Sequence, residues 1–207
     1  MGGVDELLEK WRQVIGRDAD ELGRDLLRRW SEPHREYHTP DHLRAVLDAV
    51  DVLEQHAADP AAVRLAAWFH DAVYRGRPGE DESASARLAA ETLPGAGVDQ
   101  ETVREVVRLV ELTTSHNAHP GDANGAVLCD ADLAILGSEP DEYAAYASEV
   151  RAEYSHVSDR NYRRGRLEVL RRLLALGPLY RTPTGKARWA ANAHRNLTAE
   201  LDLLSVS

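Results

Sequence analysis

Apolar residues recur at three- and four-residue spacing over residues 4–15 and again over 18–30, which predicts two amphipathic helices, the second with Asp18 as its N-cap. Pro33 interrupts the pattern. Thr39-Pro40 then restarts a helix, with Thr as N-cap and Pro at the first helical position. Pro60 opens the next one, apolar on nearly every side through Trp68 and Tyr74, so this helix should be central and buried. His70 and Asp71 lie close to its end, before the break Arg75-Gly76-Arg77-Pro78-Gly79.

Glu80-Asp81-Glu82-Ser83 opens a helix running to about residue 93, residues 94–98 form a turn, and 100–114 make another amphipathic helix. The stretch 128–137 follows, ended by Gly137 as helix terminator. Three further helices are predicted at 140–157, with Ser138 starting a capping box, at 159–176, and from 184 to about 204. With no strand-like alternation, the fold class is all-α. The 207 residues, 43% hydrophobic, fit a single domain in which the helices after about 138 are an appended part.

The phase of these helices turns three polar residues inward. His42 shares a stripe with Val46, Ala49, Val50 and Leu53; His70 shares one with Val63, Ala66, Ala67, Val73 and Tyr74; Asp132 shares one with Leu128, Cys129, Ile135 and Leu136. A buried imidazole or carboxylate is costly unless hydrogen-bonded, paired or bound to a cation. Any one of the three is read most simply as a satisfied core residue. Together, on three helices, they should find one another or a metal. His38, just before the helix that carries His42, has more freedom and suits proton donation to a leaving group.

The order His42, then His70-Asp71, then Asp132 resembles the signature of the HD superfamily of metal-dependent phosphohydrolases. More narrowly, Tyr37-His38-x-x-x-His42, Trp68-Phe69-His70-Asp71-x-Val73-Tyr74 and Asp130-x-Asp132-Leu-Ala-Ile-Leu-Gly137 are similar to a group of bacterial HD proteins of about this length. The resemblance implies an HD-type helical bundle with the metal between central helices, and His42, His70, Asp71 and Asp132 as ligands. Asp130 is the other aspartate available at the distal position, or a hydrogen-bond partner of a ligand histidine. By a further resemblance to cyclic-nucleotide phosphodiesterases, His38 takes the part of general acid. Similarity also implies that Glu82 lies beside the metal, to orient water or ligand, and that His116 or His119 holds a second ion.

The chemistry implied is hydrolysis of a phosphate ester by metal-activated water, with His38, Asp71 and Glu82 as the catalytic set. Mixed His and Asp ligation suits Mn²⁺, Fe²⁺, Co²⁺, Ni²⁺ or Zn²⁺, with Mg²⁺ allowed in a second position. Arg75 and Arg77 could meet an entering phosphate, although solvated loop arginines fit as well. Arg151, Tyr154, Tyr162 and Arg166 are spaced to project toward the site from the C-terminal helices, against the alternative of a solvated basic face over packed aromatics. A di-iron oxygenase and a nucleotide-binding sensor without turnover are the alternative functions.

Charge narrows the partners. A formal net charge of -10 and a pI near 5.4 disfavour nucleic acid and anionic membrane and point to a small phosphorylated substrate such as a nucleotide; a homodimer is allowed. Cys129, the single cysteine, excludes an intramolecular disulfide, and the first residues lack a basic segment followed by an apolar run. No run approaches eighteen apolar residues, so a soluble, cytoplasmic protein is expected.

Overall fold

A computed structural model describes residues 2–206, and every regular element among them is helical. Helix α1 spans Gly2–Ile15 and α2 spans Asp20–Trp30. Between them the chain reverses at Gly16 (φ 91°) and makes a 3-10 turn over Arg17–Ala19. That turn absorbs Asp18, so the expected N-cap is displaced: α2 starts after Ala19 without a side-chain cap. Asp20 instead receives the Arg12 guanidinium through hydrogen bonds of 2.8 and 2.6 Å.

The third helix, α3 (Pro40–Leu53), starts as expected, with Thr39 Oγ1 accepting the Asp41 N–H at 3.3 Å. Helix α4 (Pro60–Phe69) is capped by Asp59 and buries Val63, Ala66, Ala67, Trp68 and Phe69 completely. It stops five residues short of Tyr74, which frees the 70–79 segment to wrap over the bundle end. Helices α5 (Glu80–Thr92), α6 (Gln100–Leu112) and α7 (Ala123–Asp132) pack around α4 and α3.

One apolar cluster joins α1 to α7. Its aromatic centre is Trp11 set edge-on to Trp68, ring centroids 5.2 Å apart, and Trp30, whose indole N–H donates to the Trp68 carbonyl at 3.0 Å. A second cluster joins the 3-10 turn Leu133–Gly137 to α8 (Pro140–Glu153), α9 (Asp159–Ala175) and α10 (Pro183–Val206). Trp189 of α10 packs against both clusters.

Gly137 is not the helix terminator that its position suggests. The α-helix has already ended at Asp132, and a Cβ on Gly137 would lie 2.7 Å from the Trp189 Cα, so the glycine serves close approach of α10. Ser138 does not begin a capping box either. The residue before α8 is Glu139, which makes no side-chain cap, while the Ser138 hydroxyl turns to the Glu139 carbonyl at 3.4 Å.

Asp130 ties the two clusters together. Fully buried, it accepts the N–H groups of Arg181 and Thr182 at 2.7 and 2.8 Å and the Thr182 hydroxyl at 2.7 Å, and so pins the strap that leads into α10. Burial raises its pKa against the lowering effect of these donors. Both its oxygens are engaged there, and no ligand histidine is among the hydrogen-bond partners found for it among the described residues, contrary to the expectation that it holds one. Among the described residues no helix is long and apolar enough to cross a membrane.

Candidate metal centre

The first turn of α3, the end of α4 and the last residue of α7 meet at one point. They bring together His42 Nε2, His70 Nε2 and a carboxylate oxygen of Asp132. The two nitrogens are 3.4 Å apart, and Asp132 Oδ1 is 3.3 Å from His42 and 3.5 Å from His70. His70 is oriented by its other nitrogen: Nδ1 sits 2.8 Å from the Ala67 carbonyl, and donating there leaves a lone pair on Nε2.

This triangle fits a cation. Two ligands at about 2.1 Å from one ion and about 110° apart lie about 3.4 Å from each other. The chemistry of the set agrees, since imidazole with carboxylate suits first-row divalent metals. Asp71 flanks the triangle, with Oδ2 3.3 Å from His70 Nε2, and can join it as a fourth ligand. Helix α4 ends just before these two residues, which is what lets neighbours about 100° apart on a helix lean over the same point.

The electrostatics also call for positive charge. Burial lowers the pKa of His70, but Asp71 and Asp132 outweigh it and carry the imidazole up to about 9. Burial prevails at His42, whose pKa falls despite Asp132. At Asp132 burial pushes upward, yet the surrounding His70, His116 and His42 hold the carboxyl well below its usual range. Without an ion, a proton on His70 is the charge that these carboxylates draw in.

His38 stands beside the triangle rather than in it. Its Nδ1 is 2.7 Å from Glu153 Oε2, and its Nε2 faces Asp71 Oδ2 at 3.8 Å. Glu153 is nearly inaccessible as a side chain. Its Oε1 accepts the backbone N–H groups of Glu36, Tyr37 and His38 at 3.0, 3.0 and 2.9 Å, and Oε2 also accepts the Tyr74 hydroxyl at 3.0 Å. Burial would raise the Glu153 carboxyl, but His38 and these donors bring it down to about 2. His38 is raised above its ordinary value, because Asp71 and Glu153 together exceed the cost of burial.

His116 reaches the far side of Asp132, Nε2 to Oδ2 at 2.7 Å, outside the mutual triangle. It is the one non-glycine residue with positive φ among those described, at 52°, a left-handed conformation that costs about 1–3 kcal/mol and is held in place here by its bond to Asp132. His119 is exposed on the following loop.

A cavity of about 470 Å³ opens on this cluster and is lined by His38, Asp71, Glu82, Tyr154 and Arg166, among others. Glu82 nevertheless has one oxygen on the Gly79 N–H at 2.5 Å, closing the first turn of α5. Arg166 is buried and held by Glu200 through bonds of 2.7 and 2.8 Å, lying over the Tyr146 ring. Arg75, Arg77 and Arg151 do not line the cavity. The first two are exposed with their backbone N–H groups on the buried Asp81, at 2.7 and 2.8 Å, and Arg77 lies 3.5 Å from Glu80. Arg151 binds the Tyr154 carbonyl and Asp159 and stacks on Tyr162.

Two residues of the site were missed from sequence. Glu153 falls on the stripe formed by Tyr143, Tyr146 and Val150 of α8, and a polar residue on an apolar stripe is the signal that singled out His42. Arg35, buried in the 31–39 loop, donates to the carbonyls of His38, Asp71 and Ala72 at 3.2, 2.8 and 3.3 Å and so ties both ligand-bearing segments together. No helical period marks it. Comparison of the chain with family models, with curated proteins and with solved structures finds no match.

Proposed function

We propose that the protein is a metal-dependent phosphohydrolase of the HD superfamily, acting on a phosphate ester of a nucleotide or another small phosphorylated metabolite in the cytoplasm. The observation that carries this reading is the pairing of two features: three lone-pair atoms at ion-binding separations, and an imidazole with a raised pKa aimed past Asp71 by a buried carboxylate.

His42, His70, Asp132 and Asp71 would hold the ion. A divalent cation in such a site acidifies water and polarises a phosphoryl oxygen. The chain's own residues supply the rest. His38 carries a proton on Nδ1 toward Glu153 and a second on Nε2, which faces the cavity. As the P–O bond to the alcohol breaks and the water oxygen bonds to phosphorus, the leaving oxygen takes the Nε2 proton. The proton shed by water restores His38, so ester and water give alcohol and inorganic phosphate. Glu153 fixes the tautomer and ring orientation, as a buried carboxylate does for a catalytic histidine elsewhere.

The test is metal content of the purified protein together with phosphate release from nucleotides and sugar phosphates under Mn²⁺, Co²⁺, Ni²⁺ and Mg²⁺, with Asp71→Ala as control. Metal-dependent release that Asp71→Ala abolishes is the expected result. Bound metal without release on any ester would turn the reading toward an oxygenase or a sensor, and absence of bound metal would sink it.

A further inference from the structure

The cavity on the metal-ligand cluster has a chemistry of its own. Away from the ligands its wall is mostly apolar, with Tyr146, Tyr154 and Tyr162 beside Val150, Val169 and Leu173, and Thr113, Thr114 and Asn161 are the neutral polar groups set into it. The carboxylates of Asp71, Glu82 and Asp132 face the same space. Two guanidinium groups line it. Arg166 is neutralised by Glu200, and Arg172, exposed on α9, makes no ion pair among the described residues. Its volume, about 470 Å³, lies within the range that encloses a small organic molecule most of the way round.

We propose that this cavity selects monophosphate esters whose alcohol carries an aromatic or extended apolar body, and discriminates against compact sugar phosphates and against di- and triphosphates. The inference rests on the hydrolase reading of the same site. One phosphate has the metal cluster and His38 to meet it. Each further phosphate reaches beyond the ion, where Glu82 adds negative charge and Arg172 is the single lining guanidinium without an ion pair among the described residues. A sugar body would leave its hydroxyls against valine, leucine and tyrosine faces that return few hydrogen bonds, while a flat apolar body replaces water along that wall. Tyrosines give such a wall stacking faces together with hydroxyls at its edge.

Two measurements on the Mn²⁺-loaded protein test this. The first is calorimetric binding of (2-naphthylmethyl)phosphonate, methylphosphonate and methylenediphosphonate, none of which can be hydrolysed. The naphthyl compound should bind on the order of 30-fold more tightly than either of the others, the scale on which apolar pockets discriminate. Val169→Asp, and Tyr162→Ala as a second variant that keeps the wall uncharged, should each shrink that ratio. Equal binding of naphthylmethyl- and methylphosphonate, or tighter binding of the diphosphonate, overturns the proposal.

The second measurement is kcat/KM for 2-naphthylmethyl phosphate against glucose 6-phosphate, both esters of primary alcohols, with a nucleoside triphosphate alongside. A preference of the same order for the naphthylmethyl ester is expected. Turnover lost in Asp71→Ala but equal on both esters leaves the hydrolase reading standing and overturns the substrate class. Selective phosphonate binding without turnover of any ester supports the ligand class and sinks the hydrolase.

Discussion

Glu153 Oε2 lies 2.7 Å from His38 Nδ1, while the other oxygen of the same carboxylate gathers three consecutive backbone N–H groups from Glu36 to His38. The pair therefore fixes both the imidazole and the loop that bears it. Glu153→Gln keeps the shape and an acceptor oxygen but removes the charge that helps hold His38 protonated. In phosphate-release assays kcat should fall by about tenfold to a hundredfold, part of what a general acid contributes. The high-pH limb of the rate profile should move to lower pH, because the acid form of His38 is lost sooner. Bound metal should stay at the wild-type level; a profile that does not move would remove Glu153 from this role.

The same carboxylate makes stability depend on acid. Its folded pKa of about 2 lies below the ordinary 4.5, so its contribution is present above about pH 4.5 and is lost as pH falls toward 2. At about 1.4 kcal/mol per pH unit the fall from 4.5 to about 2 corresponds to no more than about 3.5 kcal/mol, which solvent screening reduces further. Urea midpoints measured from pH 6 down to pH 3 should fall more steeply for wild type than for Glu153→Gln. Parallel slopes would count against the buried, charged state.

The triangle of His42, His70 and Asp132 predicts the behaviour of single ligand variants. His42→Ala removes one corner, and Asp132→Ala removes the group on which His42, His70 and His116 converge. Each should lose the bound ion, as read by metal analysis after gel filtration. Saturating metal at about a hundred times its Kd should stabilise wild type by about 2.7 kcal/mol against thermal unfolding, and neither variant. His116→Ala should retain the ion with weakened affinity, in the tenfold to hundredfold range typical of groups that orient a ligand. Complete loss of metal in His116→Ala would instead make it a ligand.

Much of this site was legible because its ligands lie on helices or just at their ends, where phase still tells inside from outside. His42, His70 and Asp132 each interrupt an apolar stripe, and the fold brings those three stripes to one core. The starts of α3 and α4 were equally plain, since Thr39-Pro40 marks one and Pro60 the other. Where the outcome depended on contacts distant in sequence, the pattern was silent or misleading. Arg166 sits in a run that reads as a solvated basic face, and Glu200, 34 residues on, makes it a buried ion pair. Asp130 reads as a neighbour of the metal until Arg181 and Thr182 are seen to occupy it. Asp18 and Ser138 have capping chemistry, but Asp18 falls in the turn before α2, and Glu139 stands between Ser138 and α8, which starts at Pro140 as its pattern predicts.

Two glycines predict opposite responses to one substitution. At Gly137 an added Cβ would lie 2.7 Å from both the Cα and the carbonyl oxygen of Trp189, backbone atoms that cannot swing aside. Gly137→Ala should force α10 outward and cost about 1–3 kcal/mol, in the manner of overpacked cores. Gly165 lies within α9 with nothing within 4 Å of the position of its Cβ. There alanine adds no contact and reduces the freedom of the unfolded chain, so Gly165→Ala should stabilise by about 0.5–1 kcal/mol. Thermal melts should shift by about 2–4 °C per kcal/mol for a chain of this size, downward for the first and upward for the second. Trp189 also bridges the two apolar clusters, so a broadened or split transition in Gly137→Ala would mean that its contact couples them. A Gly137→Ala melt unchanged from wild type would show that α10 is not held as closely against the turn as its backbone contacts require.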